Sequence, residues 1–278
     1  WRALAAWTAP RERAGEKLRS GRQNGTRTPQ LLRNPPKRAT LEAMCGKFSY
    51  MATWAEVVSF SEPLTARPSN APEEVATPMR FAPVMHLDDA GQRTVTPMRW
   101  GFTKSRQGRV FPDHIHARDD KLITSRLWRP HFEARRGVLI VSSFNEGEEV
   151  PTFRPDRVTP TGNTRTVQWT IRPKDGSRLA IAIIYRMAQS PEGEVAEFVM
   201  CTTKANKGIS RFVTGDPDQR MPAVLQVENL AVWLGQTGAS PEELRACLSP
   251  YEDEGAWSMA PEGRRKSPIA KPVQGDLF

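Results

Sequence analysis

The stretch "LAIAIIY", residues 179–185, limits what this chain can fold into more than any other. It is seven apolar residues long, rich in isoleucine and free of charge. That is far short of the ~20 residues a membrane-crossing helix needs. It is also shorter than most helices, so it reads as a strand buried on both faces. "GVLIVSSF" (137–144) and "EFVMCTT" (197–203) have the same character, and "RFAPVM" (80–85), "TVTPMRWGF" (94–102) and "VQWTI" (167–171) read as further strands. Helical signals are fewer. "TWAEVVSF" (53–60) carries Thr53 and Glu56 at capping-box spacing, "VENLAVWLG" (227–235) has helical periodicity, and "SPEELRACL" (240–248) has Ser240 as N-cap, Pro241 at the first helical position and Glu243 closing the box. Many strands joined by Gly and Pro turns, with helices mostly at the ends, predict an α+β fold with a curled, barrel-like β core and a few peripheral helices.

Both flanks differ from this middle. Residues 1–43 hold ten Lys or Arg against three Asp or Glu and no apolar periodicity, and are read as disordered or outside the mature protein. They carry +7 of the overall +9, leaving +2 for the rest, so the basic balance is weak evidence for a nucleic-acid partner. The folded domain is expected over 44–255, followed by a flexible Pro- and Lys-rich tail over 256–278 whose composition changes most clearly after Pro261. "LAAW" is too short for the core of a signal peptide, and no run of about 18 apolar residues is present. A soluble cytoplasmic protein without a membrane partner is expected. Cys45, Cys201 and Cys247 are odd in number and far apart, which argues against a disulfide framework. His114 and His116 share a face if the segment is extended, but no third ligand is evident, so neither metal nor cofactor is expected.

Six pieces recur in order: "MCGKFS" (44–49), "MRWGF" (98–102), "HARDD" (116–120), "FNEGEEV" (144–150), "CTTKAN" (201–206) and "QRMPAVL" (219–225). Together they resemble the SOS-response-associated peptidase family, the SRAP domain, over about residues 44–250. The resemblance implies that Cys45 becomes the first residue once Met44 is removed, and that its amine and thiol bond covalently to abasic sites in single-stranded DNA. Such a residue has the chemistry required. An α-amine condenses with the aldehyde of an opened abasic sugar and the neighbouring thiol closes a five-membered thiazolidine. A peptide upstream of Cys45 would make the amine an unreactive amide. Met44 is therefore the expected start, and residues 1–43 an upstream extension. The family's peptidase label fits self-processing at the cysteine.

The resemblance also assigns roles. Glu146 matches the family's proton-transfer glutamate, at a strand end; its own context, Asn145-Glu146-Gly147, is equally good turn chemistry. Glu148 and Glu149 read as solvated. His116 stands where the family usually has an asparagine that orients the sugar or the new ring, and Asp218 where it has a histidine that assists ring opening and reversal. Asp218 either replaces that histidine as an acid and base or leaves the step uncatalysed, with His116 then covering for it; its other reading is a polar residue of the turn-rich "GDPD" loop. Arg118, Arg126 and Arg220 match phosphate-binding arginines, Arg126 being equally a salt-bridge partner. Trp100 either stacks on an unpaired base or packs in the core, which its apolar run favours. The end of the chain, "QGDLF", resembles the peptide by which bacterial replication and repair proteins bind the sliding clamp, with Gln274, Leu277 and Phe278 as contacts. The expected protein is a nucleoid-associated monomer that links covalently to abasic single-stranded DNA. The rivals are a degenerate SRAP module that binds DNA without covalent chemistry and a cysteine peptidase of the thiolate type, which a Cys45→Ser variant separates.

Overall fold

The computed structural model of the chain describes residues 47–50, 74–190, 193–250 and 254–262. Cys45, the helix expected over 53–60, residues 1–43 and the tail positions Gln274, Leu277 and Phe278 lie outside them.

Fourteen strands are found among the described residues. In chain order they are β1 (Phe48–Tyr50), β2 (Glu74–Ala76), β3 (Phe81–Leu87), β4 (Arg93–Trp100), β5 (Phe102–Arg106), β6 (Arg109–His114) and β7 (His116–Arg118). β8 (Arg136–Phe153), β9 (Pro160–Pro173), β10 (Leu179–Ser190) and β11 (Gly193–Lys204) are the long ones; β12 (Arg220–Pro222), β13 (Val224–Leu225) and β14 (Trp257–Pro261) are short. All but the β5–β6 hairpin belong to one curled sheet, in which β8 pairs with β3, β1 and β9 and also with β10. Helices are few among the described residues: α1 (Arg129–Ala134), α2 (Lys207–Ser210), α3 (Leu230–Leu234) and α4 (Pro241–Ala246). This is the expected α+β architecture. No helix among the described residues is long and apolar enough to cross a membrane.

The apolar runs behave as a two-sided strand should. Along β10, Leu179, Ile181 and Ile183 enter one core with Phe48, Trp100, Phe144 and Phe198. Ala180, Ala182 and Ile184 enter a second core capped by Phe132, Leu230, Trp233 and Leu244 from the helices. Three strands meet at Gly137, where a Cβ would stand 2.9 Å from Met85 O, Val84 Cγ1 and Ile183 Cδ1; glycine lets the backbones approach this closely. The Ser240 capping box forms as the sequence predicts.

Two expectations are corrected, and one open alternative, for Trp100, is decided. Residues 257–261 are a strand of the sheet, beyond the boundary expected at 255: Trp257 is 3% exposed and packs against Phe144. The alternation of Trp257 and Met259 on one face outweighs the Pro- and Lys-rich composition that follows. Glu146 is neither at a strand end nor in a turn, because β8 continues to Phe153 in register with β9. The chain reverses instead at Arg154–Thr159, where the Asp156 carboxylate accepts the N–H groups of Val158 and Thr159. Trp100 belongs to the core. Its ring is fully buried against Phe48 and Phe198, and its indole N–H donates to Ile115 O at 3.1 Å, so no face is left for a base.

Candidate active site

Two glutamates among the described residues are completely buried, and their surroundings are opposite. Burial pushes the Glu197 carboxyl up, but Thr103 N–H and O–H and the guanidinium groups of Arg99 and Arg186 outweigh it and hold the group below the usual range. Glu197 is thus a satisfied ion-pair centre that ties the β5–β6 hairpin to the sheet. Glu146 has no such company. Neither of its oxygens has a hydrogen-bond partner among the described residues. Burial, with a smaller contribution from the charge of Asp216, holds its carboxyl well above the ordinary glutamate value. A buried carboxyl left unsatisfied is costly, and groups so arranged concentrate at functional sites.

The register of β8 explains how Glu146 is placed. Phe144 and Glu146 point to one face, opposite Ile171 and Trp169 of β9. On the other side β1 pairs with β8, Phe48 opposite Phe144, and Asn145 N–H donates to Lys47 O at 3.0 Å. Lys47 is held further by an ion pair to Glu262, just past β14. The chain leading back from Lys47 to Cys45 therefore starts beside Glu146's neighbour. Two residues reach at most about 7 Å, whatever their conformation. Next to Lys47 a polar cleft of about 260 Å³ is lined by Ser49, Asn145, Thr170, Arg172 and Arg178. The other two cysteines, Cys201 and Cys247, are buried thiols, and burial raises both above the ordinary value.

A second cluster forms where β7 and β12 flank the end of β11, with Arg118 opposite Thr202 and Pro222 opposite the same residue. Arg118 binds both oxygens of Asp120, Nε at 3.0 Å and Nη2 at 3.1 Å, and pairs through Nη1 with Asp218. Arg220 pairs with Asp119 and donates through Nε to Thr202 Oγ1 at 3.0 Å. Asp216, 6% exposed, receives the N–H groups of Asp218 and Arg220 and so fixes the loop that carries them. His116, on β7, lies 6.3 Å from Trp100 between ring centroids. Arg126 is exposed and makes no ion pair among the described residues. Glu148 and Glu149 are half-buried rather than free in solvent, accepting the Trp169 indole N–H and the Thr166 hydroxyl.

The structure thus brings Arg118, Asp218 and Arg220 together, and Asp216, which anchors their loop, also acts on Glu146 beside the start of β1. Asp119, Asp120 and Asp216, the partners in the arginine cluster, are absent from the sequence expectations. Only the acidic run after Arg118 hints at the first two. The burial of Asp216 has no sequence signal.

A curled sheet with few helices, one unpaired buried carboxyl beside its first strand and arginines caged by aspartates defines an α+β module with acid–base capacity. The chain belongs to the SOS response associated peptidase (SRAP) family, whose model matches residues 44–261. It is 22% identical over 215 residues to the abasic site processing protein YoqW of Bacillus subtilis (strain 168), an alignment covering 75% of this chain and 88% of the relative. A similar match, 22% over 214 residues, joins it to YobE, an abasic site processing protein of the same strain, over 75% and 90%. Crystal structures of a Bacteroides thetaiotaomicron protein (TM-score 0.58, 18% identity, 84% of this chain and 100% of the other) and a Bordetella bronchiseptica protein (0.56, 16%, 79% and 100%) share the fold.

Proposed function

We propose that this chain captures abasic sites in single-stranded DNA through a thiazolidine formed by the amine and thiol of Cys45, with Glu146 moving the protons. The observation that carries this reading is the buried, unpartnered carboxyl of Glu146, next to the residue whose N–H holds Lys47, two positions from Cys45. Membership of the SRAP family and the printed names of the Bacillus relatives support it.

The chemistry follows from the protonation state. The amine of Cys45 adds to the aldehyde carbon of the opened sugar, and the resulting hydroxyl leaves as water once protonated. Glu146, whose acid form burial favours, supplies that proton. That leaves an iminium; as a carboxylate Glu146 then takes the thiol proton as sulfur adds to the iminium carbon, and the C=N electron pair moves onto the nitrogen, leaving it neutral as the ring closes. One water is released overall.

The test is a denaturing gel of single-stranded DNA carrying one abasic site. Protein beginning at Cys45 should give a shifted band that survives denaturation. Cys45→Ser keeps the amine but has no thiol for the ring, so its adduct should require borohydride trapping. The chain that retains residues 1–43 should give none. An equal band from the extended chain, or none from the protein beginning at Cys45, overturns the reading.

Asp218 is held by Arg118 rather than directed at Glu146, so we read it as a brake on phosphate binding. Exposed pairs of this kind contribute about 0.2–1 kcal/mol. Asp218→Asn should therefore raise single-stranded DNA affinity by up to about fivefold in a titration at low salt, with the capture rate unchanged. A slower capture rate would show instead that Asp218 acts as an acid or base.

A further inference from the structure

We propose that a groove beside Trp169 seats the unpaired base next to the lesion, with Trp169 as the stacking face and Arg211 and Lys174 as contacts for its phosphate. This rests on the single-stranded DNA reading and names a subsite for it.

The groove, about 550 Å³, is lined by Glu148, Trp169, Lys174, Arg211, Phe212 and Met259 among others, a size suited to a small organic group. Trp169 is half-buried, 4.4 Å from Phe212 between centroids at 44°. The Arg211 guanidinium lies 4.6 Å from the Phe212 centroid, which keeps a cation over the aromatic pair. Neither Arg211 nor Lys174 has a carboxylate partner among the described residues, and both are exposed. The acid in the groove, Glu148, accepts the Trp169 indole N–H at 2.7 Å, which orients the ring and occupies the acid. An aromatic surface with two cations that no carboxylate of the described residues neutralises matches a base and its phosphate. Sequence-tolerant stacking with cationic backbone contacts is how single strands are held.

Register ties this groove to the reaction. Trp169 stands directly opposite Glu146 on adjacent antiparallel strands, on the same face. Opposed Cβ atoms lie about 5 Å apart. A sugar served by Glu146 therefore has its neighbouring nucleotide at Trp169.

The experiment measures binding of the full chain, by fluorescence anisotropy, to two single-stranded oligonucleotides. Each carries a tetrahydrofuran abasic analogue, which cannot open to an aldehyde, at the central position. In one the flanking nucleotides have bases; in the other they are replaced by the same analogue. Trp169→Ala should weaken binding to the first by about tenfold, the range of one stacked base, and to the second by less than about twofold. Trp169→Phe should recover most of the loss, and Arg211→Gln should lower the salt slope by about one. Equal losses on both oligonucleotides, or a Trp169→Phe defect as large as that of Trp169→Ala, overturn the subsite. Wild-type binding that Trp169→Ala leaves intact overturns the subsite alone, whereas absence of wild-type binding to either oligonucleotide overturns the DNA reading with it.

Discussion

Replacing Glu146 by glutamine is expected to slow covalent capture of an abasic site by about 10²-fold or more, in protein beginning at Cys45, with DNA affinity unchanged. Glutamine fills the same space in β8 but neither gives nor takes a proton at neutral pH. The same variant has a stability signature that a merely structural residue would lack. The folded-state carboxyl titrates above its ordinary value of 4.5 because burial, aided by Asp216, disfavours the charge. The folded protein thus retains a proton that the unfolded chain has released. Stability from this group is fully present below the unfolded value and is lost as pH rises through the raised folded value. Within that window the wild type should lose about 1.4 kcal/mol per pH unit relative to Glu146→Gln. Denaturant midpoints measured across the window check this: a difference between the two proteins that does not change with pH would show that Glu146 is not held as the acid.

The contrast with Glu197 shows why this property escapes the sequence. Both are glutamates in strands and both are fully buried, yet one is surrounded by Arg99, Arg186 and Thr103 and the other has no hydrogen-bond partner among the described residues. Which acid is satisfied depends on partners distant in sequence. What was legible is local: the apolar runs of β8, β10 and β11, and the Ser240 cap. β7 and β12, three residues each, carry no periodic signal of their own, and they exist because β11 offers them pairing partners. They nevertheless carry Arg118 and Arg220, so the resemblance assigned roles to residues whose aspartate partners could not be foreseen. The β5–β6 hairpin is hidden in the sequence for another reason. Gln107 and Gly108 both have positive φ, 51° and 71°, as a two-residue type I′ turn requires, but the usual signal for that turn is Asn-Gly or Asp-Gly.

Trp100→Ala is expected to destabilise the fold by about 3–5 kcal/mol, the cost of emptying a core aromatic site. Trp100→Phe keeps a ring against Phe48 and Phe198 but gives up the bond to Ile115 O, and should cost about 1–3 kcal/mol. These variants should also affect DNA, and indirectly. Ile115 O accepts both the Trp100 indole and Met200 N–H, and it immediately precedes β7, which carries His116 and Arg118. Loosening Trp100 loosens the strand that presents Arg118. A base-stacking tryptophan would behave differently: its alanine variant would unfold at the wild-type denaturant concentration and still bind single strands poorly. Measuring the denaturant midpoint beside DNA affinity, under conditions where each variant is fully folded, separates the two. The buried geometry requires the midpoint to fall first, with affinity falling through displacement of β7, so that Trp100→Phe shows both effects in reduced and proportionate form.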